Sequence, residues 1–386
     1  MAERVVLHLG TMKSGTSFLQ NVMRDAKPRM AEQGVLFPGR RWKDQVNAVQ
    51  DLVARGNADE PITDGPGAWT DLVEEIDAWT GTAVVSMEFL GPRSARQVAQ
   101  AVASFAGATL DAVLTCRDLG RQIPAMWLES AQNGSVTPWD DYLAQVRHPG
   151  ERRLQGRKFW RHQSVPRLAE RWAAAVGHDH LTLVTVPPSG EAPGLLWERF
   201  AGVAGIDPTV GDLSVRPNAS VGLATAEVLM LLNERLREGD GELPAWYDPL
   251  VKFGVAKHGV ARLERDEQRL GLDQPWVVRR GRKQVEELRE AGYRVVGDLE
   301  ELVPRPVRGV QPDAVSDAER LAAAADALAL VVRAWAEADA ELRAERELPR
   351  AARGGGAGGR GGADRTAGPR RKQGRPEPEE REPRTG

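Results

Sequence analysis

A short stretch near the N-terminus concentrates residues that can do chemistry. In Gly10-Thr11-Met12-Lys13-Ser14-Gly15-Thr16-Ser17, a lysine stands among hydroxyl side chains and between two glycines. The apolar run Val5 to Leu9 leads into it, and an amphipathic stretch from Thr16 to Met23 leads out. That order predicts strand, loop, helix. A helix N-terminus offers backbone N–H groups without intrahelical acceptors and the positive end of the helix dipole. Phosphate oxygens bind there. Gly10 and Gly15 let the backbone approach such an anion closely. Ser14, Thr16 and Ser17 add hydroxyl donors, and Lys13 adds a mobile charge. The bland alternative is a glycine turn entering an ordinary helix. The loop is not a Walker A motif, whose lysine follows the last glycine; here Lys13 precedes Ser14 and Gly15.

The elements that must position this loop are legible as short, continuous, β-branched runs. Val5 to Leu9 is followed by Ala83 to Met87, Ala112 to Cys116 and Leu181 to Val186. Runs of this kind suit strands buried on both faces of a parallel sheet. Helical spacing from Ser94 to Phe105, between the second and third runs, makes one βαβ unit. Pro166 to Val176 and Leu195 to Gly205 read as helices flanking the fourth run, and Ala224 to Arg237 and Gln284 to Ala291 as further helices. Tyr293 to Gly297 adds a late strand, and Trp139 to Trp160 reads as loops or short helices over the sheet. The expected fold is α/β, a P-loop-like three-layer arrangement of a central parallel sheet flanked by helices, with C-terminal helices and a disordered tail. Residues 1–305 form the main domain and 306–350 a helical extension, which contains the alanine- and leucine-rich stretch Ser316 to Glu347. Residues 351–386 are glycine, arginine, proline and glutamate with almost no apolar content, too little to offset the entropy of ordering.

Arg117 directly follows the third strand, at the carboxyl end where open α/β sheets bind ligands. Alone, it reads equally as a surface salt-bridge partner. Glu88 closes the second strand, and His8 lies beside the loop on the first, more readily as a packed or hydrogen-bonded residue than as a base.

Taken together, His8-Leu9-Gly10-Thr11-Met12-Lys13-Ser14-Gly15-Thr16-Ser17-Phe18-Leu19-Gln20 resembles the 5′-phosphosulfate loop of PAPS-dependent sulfotransferases, in the form common among bacterial members. The stretch from Cys116 to Trp127 is similar to that family's 3′-phosphate segment, an arginine after the strand and an aromatic further along. It departs from the pattern at Ala125, where the family carries serine; Arg121, one helical turn earlier, is a substitute. The segment Arg216-Pro217-Asn218-Ala219-Ser220 and the late Gly292 to Leu299 also look like those relatives. Arg279-Arg280-Gly281-Arg282-Lys283 is basic like the family's Arg-Lys-Gly loop, at a different spacing, and reads first as a solvated helix start.

The resemblance implies sulfuryl transfer from PAPS to a hydroxyl or amine, with PAP as product and no metal. It implies donor contacts from Thr11, Met12, Lys13, Ser14, Gly15, Thr16, Ser17, Arg117 and Arg121. Lys13 would stabilise the leaving oxygen. Glu88 would be the base, since some branches use glutamate where cytosolic members carry histidine; a Walker B-like metal carboxylate or an arginine's structural partner is the alternative. The acceptor expected is a small molecule or carbohydrate. A P-loop kinase or nucleotide hydrolase, and a non-catalytic nucleotide-binding relative, stay open beside this reading.

Composition sets outer bounds. The chain has 386 residues, 41% of them hydrophobic, enough for one large α/β domain with additions or two smaller domains. A net charge of −3 gives no footprint of nucleic-acid binding. A single cysteine, Cys116, excludes an intramolecular disulfide and fits a reducing compartment. No signal h-region or membrane span is legible, so membrane insertion is not expected and a cytoplasmic location is. The six histidines show no metal-ligand spacing.

Overall fold

The computed structural model describes residues 1–55, 67–192, 194–214, 221–237, 241–257, 259–263 and 268–347. The segment from Arg216 to Ser220 and the tail 351–386 lie outside the described residues.

Six parallel strands form the centre: β1 (Arg4–His8), β2 (Val35–Leu36), β3 (Thr82–Ser86), β4 (Thr109–Cys116), β5 (Leu181–Thr185) and β6 (Arg294–Val296). Their order is β2-β3-β1-β4-β5-β6. β1 sits between β3 and β4, with Leu7 opposite Val85 and Ala112. The first strand therefore ends level with β3, His8 opposite Ser86, while β4 runs three residues further, from Val113 opposite His8 to Cys116. That carboxyl edge is where doubly wound sheets form their crevice.

The helices are α1 (Thr16–Glu32), α2 (Trp42–Arg55), α3 (Ala68–Asp77), α4 (Ala95–Ala103), α5 (Leu119–Gln132), α6 (Trp139–Arg147), α7 (Leu154–Gln163), α8 (Val165–Val176), α9 (Leu195–Ala204), α10 (Leu223–Leu236), α11 (Pro275–Ala291) and α12 (Asp317–Glu347). A π-helix covers Asp248–Lys257.

Alternation along the strands sends side chains to two cores. Val6, Val84, Val113 and Val184 pack against Leu19, Val22 and Met23 of α1 and Trp197 and Phe200 of α9. Val5, Leu7, Val85, Leu114 and Leu183 face the opposite layer, built from α2, α3, α4, α8 and α11. Both faces being covered explains the continuous apolar runs. A third core joins α5, α6, α7, α10 and the π-helix through Trp127, Trp139, Tyr142, Phe159, Leu229 and Val251. Trp127, Trp139 and Phe159 are thus packing residues, at 1%, 3% and 1% exposure.

Residues Met1–Val332 make one compact unit. The segment expected to open a separate extension pairs inside that unit, Val307 with Leu272 and Val310 with Leu270. A second unit begins at Arg333, and its described part continues the last helix to Glu347. No helix among the described residues is long and apolar enough to cross a membrane.

Candidate active site

The loop between β1 and α1 lies at the carboxyl edge of the sheet and is held from below. Thr11 N donates to Thr115 O at 2.8 Å. Ser14 Oγ donates to Thr11 O at 2.6 Å and lies 2.8 Å from Thr115 Oγ1. From the helical side, Gln122 Nε2 and Gln163 Nε2 both donate to Met12 O at 2.9 Å. Thr11, Met12 and Ser14 are therefore the frame of the loop, their polar groups turned inward.

Gly10 has φ +53° and Gly15 φ +85°. A Cβ at Gly10 would stand 2.3 Å from Thr16 Cγ2, and one at Gly15 2.5 Å from Leu196 Cδ2. Lys13, at φ 65°, is the one non-glycine with positive φ among the described residues. Such strain persists where the surroundings enforce it, commonly at functional sites. Arg117 Nη1 supplies part of that enforcement by donating to Lys13 O at 3.1 Å.

This geometry leaves the start of α1 open. Gly15 is its N-cap and no side chain caps it. Among the described residues the amides of Gly15, Thr16 and Ser17 meet no acceptor. The amide of Ser14 is used, donating to Thr11 O at 3.2 Å. The buried Nε of Arg117 likewise has no acceptor. Burial, then Arg121 nearby, pulls the Arg117 pKa down to about 10, with Asp118 opposing; the group stays cationic at neutral pH. Unpaired donors and a poorly hydrated guanidinium beside a helix N-terminus have the chemistry to accept an anion.

Lys13 itself is held by a residue that no local sequence signal singles out. Its Nζ lies 2.6 Å from Glu129 Oε2 on α5, and Lys257 Nζ lies 3.3 Å from Glu129 Oε1. Burial pushes the Glu129 carboxyl up, but the two ammonium groups and their hydrogen bonds outweigh it and hold the carboxyl at about 2.

Arg121 is committed elsewhere. It pairs with Asp118, the N-cap of α5, and donates to Pro187 O at 2.8 Å and Val186 O at 3.2 Å. Its role is to fasten the start of α5 to the end of β5, and Ala125 gains no substitute from it.

No protein-family model matches this chain, and no curated protein matches it. Among solved structures, the crystal structure of a sulfotransferase from Alicyclobacillus acidocaldarius is similar to it over 56% of this chain and 86% of that one. The identity is 14% and the TM-score 0.33.

Beyond β3, Glu88 is half-buried and oriented by α1. Gln20 Nε2 donates to Glu88 Oε2 at 3.1 Å and to Ser86 O at 3.0 Å, and Gln20 Oε1 accepts from Trp42 Nε1 at 3.0 Å. His8 is fully buried, with Nδ1 2.7 Å from Ser86 Oγ and Nε2 3.1 Å from Thr115 Oγ1. Burial lowers its pKa to about 3. It is a neutral strut between β3 and β4.

The structure thus gathers Lys13, Gly15, Thr16, Ser17 and Arg117 around one helix start and sets Glu88 on the adjoining strand end. Glu129, Lys257, Gln122, Gln163 and Gln20 complete the arrangement. The register of the loop glutamine on α1 was within reach of sequence reasoning, since Gln20 sits one turn past Thr16; the others come from distant segments with no local signal.

Proposed function

We propose that this protein transfers a sulfuryl group from PAPS to a hydroxyl or amine of a small molecule or carbohydrate. The observation that carries the reading is the loop itself: Lys13 strained at φ 65° and bound through its carbonyl by Arg117, beside the unpaired amides of Gly15, Thr16 and Ser17. In this reading those amides receive the 5′-phosphate, and Arg117, with its spare Nε, receives the 3′-phosphate and so separates PAPS from ATP. As the sulfur–oxygen bond to the donor breaks, negative charge grows on the phosphate oxygen of PAP, and Lys13 stabilises it. The acceptor oxygen or nitrogen forms the new bond to sulfur and gives its proton to Glu88. Positioning and electrostatic stabilisation supply most of the rate in in-line transfers of this type. Lys13 must leave Glu129 to act, and Lys257 stays behind to neutralise that carboxylate.

The decisive experiment is transfer of label from PAPS to a panel of alcohols, sugars and amines, together with thermal unfolding. PAP without metal is expected to raise the melting temperature, and ADP with Mg²⁺ to leave it unchanged. Lys13→Ala is expected to abolish transfer with the fold intact; turnover retained in that variant removes the mechanism. A second reading, a nucleotide-binding protein without transferase activity, is favoured by one observation: Arg121 is engaged by Asp118 and does not replace the hydroxyl missing at Ala125. PAP binding without label transfer to any acceptor selects it.

A further inference from the structure

A cavity of about 720 Å³ opens between α7, α8 and α11. Six cations line it: Arg157, Arg161, Arg167, Arg171, Arg280 and Lys283. Two carboxylates, Glu151 and Glu287, oppose them, leaving the wall with a net of four positive charges in a chain whose overall charge is −3. Glu287 is already shared with Lys283 at 3.8 Å. Arg280 lies 4.8 Å over the Trp160 ring, and Arg171 Nη1 donates to Arg93 O at 2.9 Å. Among the described residues Arg157, Arg161 and Arg167 have no carboxylate within 4.0 Å.

A second, independent observation points the same way. Gln284 lines the cavity at 8% exposure, and its buried Nε2 has no acceptor. An amide donor buried without a partner costs free energy that a ligand acceptor would recover. Ser164, also in the wall, is at once the C-cap of α7 and the N-cap of α8, so the two helix dipoles offset each other there and the positive field comes from the side chains. The cations also burden one another. Burial and then Arg161 lower the pKa of Arg93, and burial, Arg161, Arg93 and Lys158 lower that of His162 to about 4. A counter-ion in the cavity relieves that repulsion.

We propose that this cavity is a second anion-binding site, separate from the Lys13 loop, that takes a compact polyanion carrying two or more phosphate or sulfate ester groups. Guanidinium forks match the paired oxygens of tetrahedral oxyanions. Arginines from three helices face a space larger than a single such group, so several anionic groups on one ligand match the wall better than one. The two sites are mechanically joined through α7: Gln163, which grips Met12 O, stands between Arg161 and Ser164. This inference does not depend on the transfer reaction proposed for the loop.

Titration calorimetry of the full chain with tripolyphosphate, and separately with a trisulfated disaccharide, tests the site and tells its two ligand chemistries apart. At least one probe is expected to bind with a dissociation constant below a millimolar. Arg161→Glu with Arg167→Glu is expected to weaken that binding at least tenfold, and Gln284→Leu several-fold, while Lys13→Ala leaves it unchanged. Arg161 and Arg167 are exposed helix positions, so their reversal spares the core; melting temperatures check this, and Arg157→Ala with Arg161→Ala repeats the test should the reversal unfold. No binding of either probe, binding indifferent to both arginine variants, or binding lost in Lys13→Ala would each overturn the proposal.

Discussion

Lys13, Glu129 and Lys257 form a charged triplet in which one carboxylate, 8% exposed, is shared by two ammonium groups. The donor must compete with Glu129 for Lys13. Lys257 weakens the hold of the carboxylate by neutralising part of it, so Lys257→Ala is expected to tighten the Lys13–Glu129 pair and weaken PAP binding. A partly buried pair of this kind corresponds to roughly 1 kcal/mol, about five-fold in the dissociation constant. Calorimetric titration with PAP checks it; unchanged affinity would mean that Lys13 is free of Glu129 in solution. Glu88 makes a different prediction. Because Gln20 fixes it from α1, Glu88→Gln keeps a hydrogen-bonding group in place and removes only the base. Turnover is expected to fall by about 100-fold or more, as for a general base, with donor affinity within two-fold of wild type. An unchanged rate places the base elsewhere. At this scale the sequence shows the residues near strand ends and not the distant ones that hold them. The placement of Lys13, Glu88 and Arg117 near strand ends is legible in the sequence. Arg121 was misleading: its spacing suited a 3′-phosphate, but Asp118 three residues earlier takes the guanidinium, the ordinary outcome for an acidic N-cap with an arginine at N3.

Among the elements, four of the five strands read from the sequence are buried on both faces, where packing favours apolar residues; the fifth, β6, is a sheet edge and only partly buried. β2 has two residues, Val35 and Leu36, too few to show any period. α11 was expected from Gln284, but it begins at Pro275, because Arg279, Arg282 and Lys283 mask a face on which Val277 and Gly281 are buried. Trp139 to Trp160 forms α6 and α7, short helices joined through aromatic contacts such as Tyr142 against Phe159, with ring centroids 6.5 Å apart. The loop between β1 and α1 is the element whose conformation the sequence states most directly, and it carries a stability prediction. Gly10→Ala would force a side chain into φ +53° and against Thr16 Cγ2 at 2.3 Å. The left-handed conformation alone costs about 1–2 kcal/mol, and the contact adds to it. A melting temperature lower by several degrees, with the response to PAP lost, is expected. A variant as stable as wild type would show that the loop relaxes at no cost and is not held as described.

For the molecule as a whole, the same buried groups that frame the site set its response to acid. His8 has a pKa near 6.5 when unfolded and about 3 when folded. Between those values the unfolded chain binds more protons, so stability falls as pH falls through that window. His162, lowered to about 4 first by burial and then by Arg161, contributes with the same sign from 6.5 downward. Glu129 acts over a lower window. Its carboxyl is at about 2 in the fold against 4.5 in the unfolded chain, so its contribution, on the order of 3 kcal/mol, is complete above pH 4.5 and lost as pH drops towards 2. The free energy of unfolding, measured by denaturant titration from pH 8 to 3, is therefore expected to decline in two stages. The first begins below pH 6.5 and is carried by the histidines; the second begins below 4.5 and steepens the slope. His8→Gln should flatten the upper stage in part, and His8→Gln with His162→Gln should remove most of it, while Glu129→Gln should flatten only the lower. A wild-type slope retained between pH 6.5 and 4.5 in the double histidine variant would show that neither imidazole is held neutral by burial. That would break the link between the polar strut under the loop and the stability of the sheet it joins.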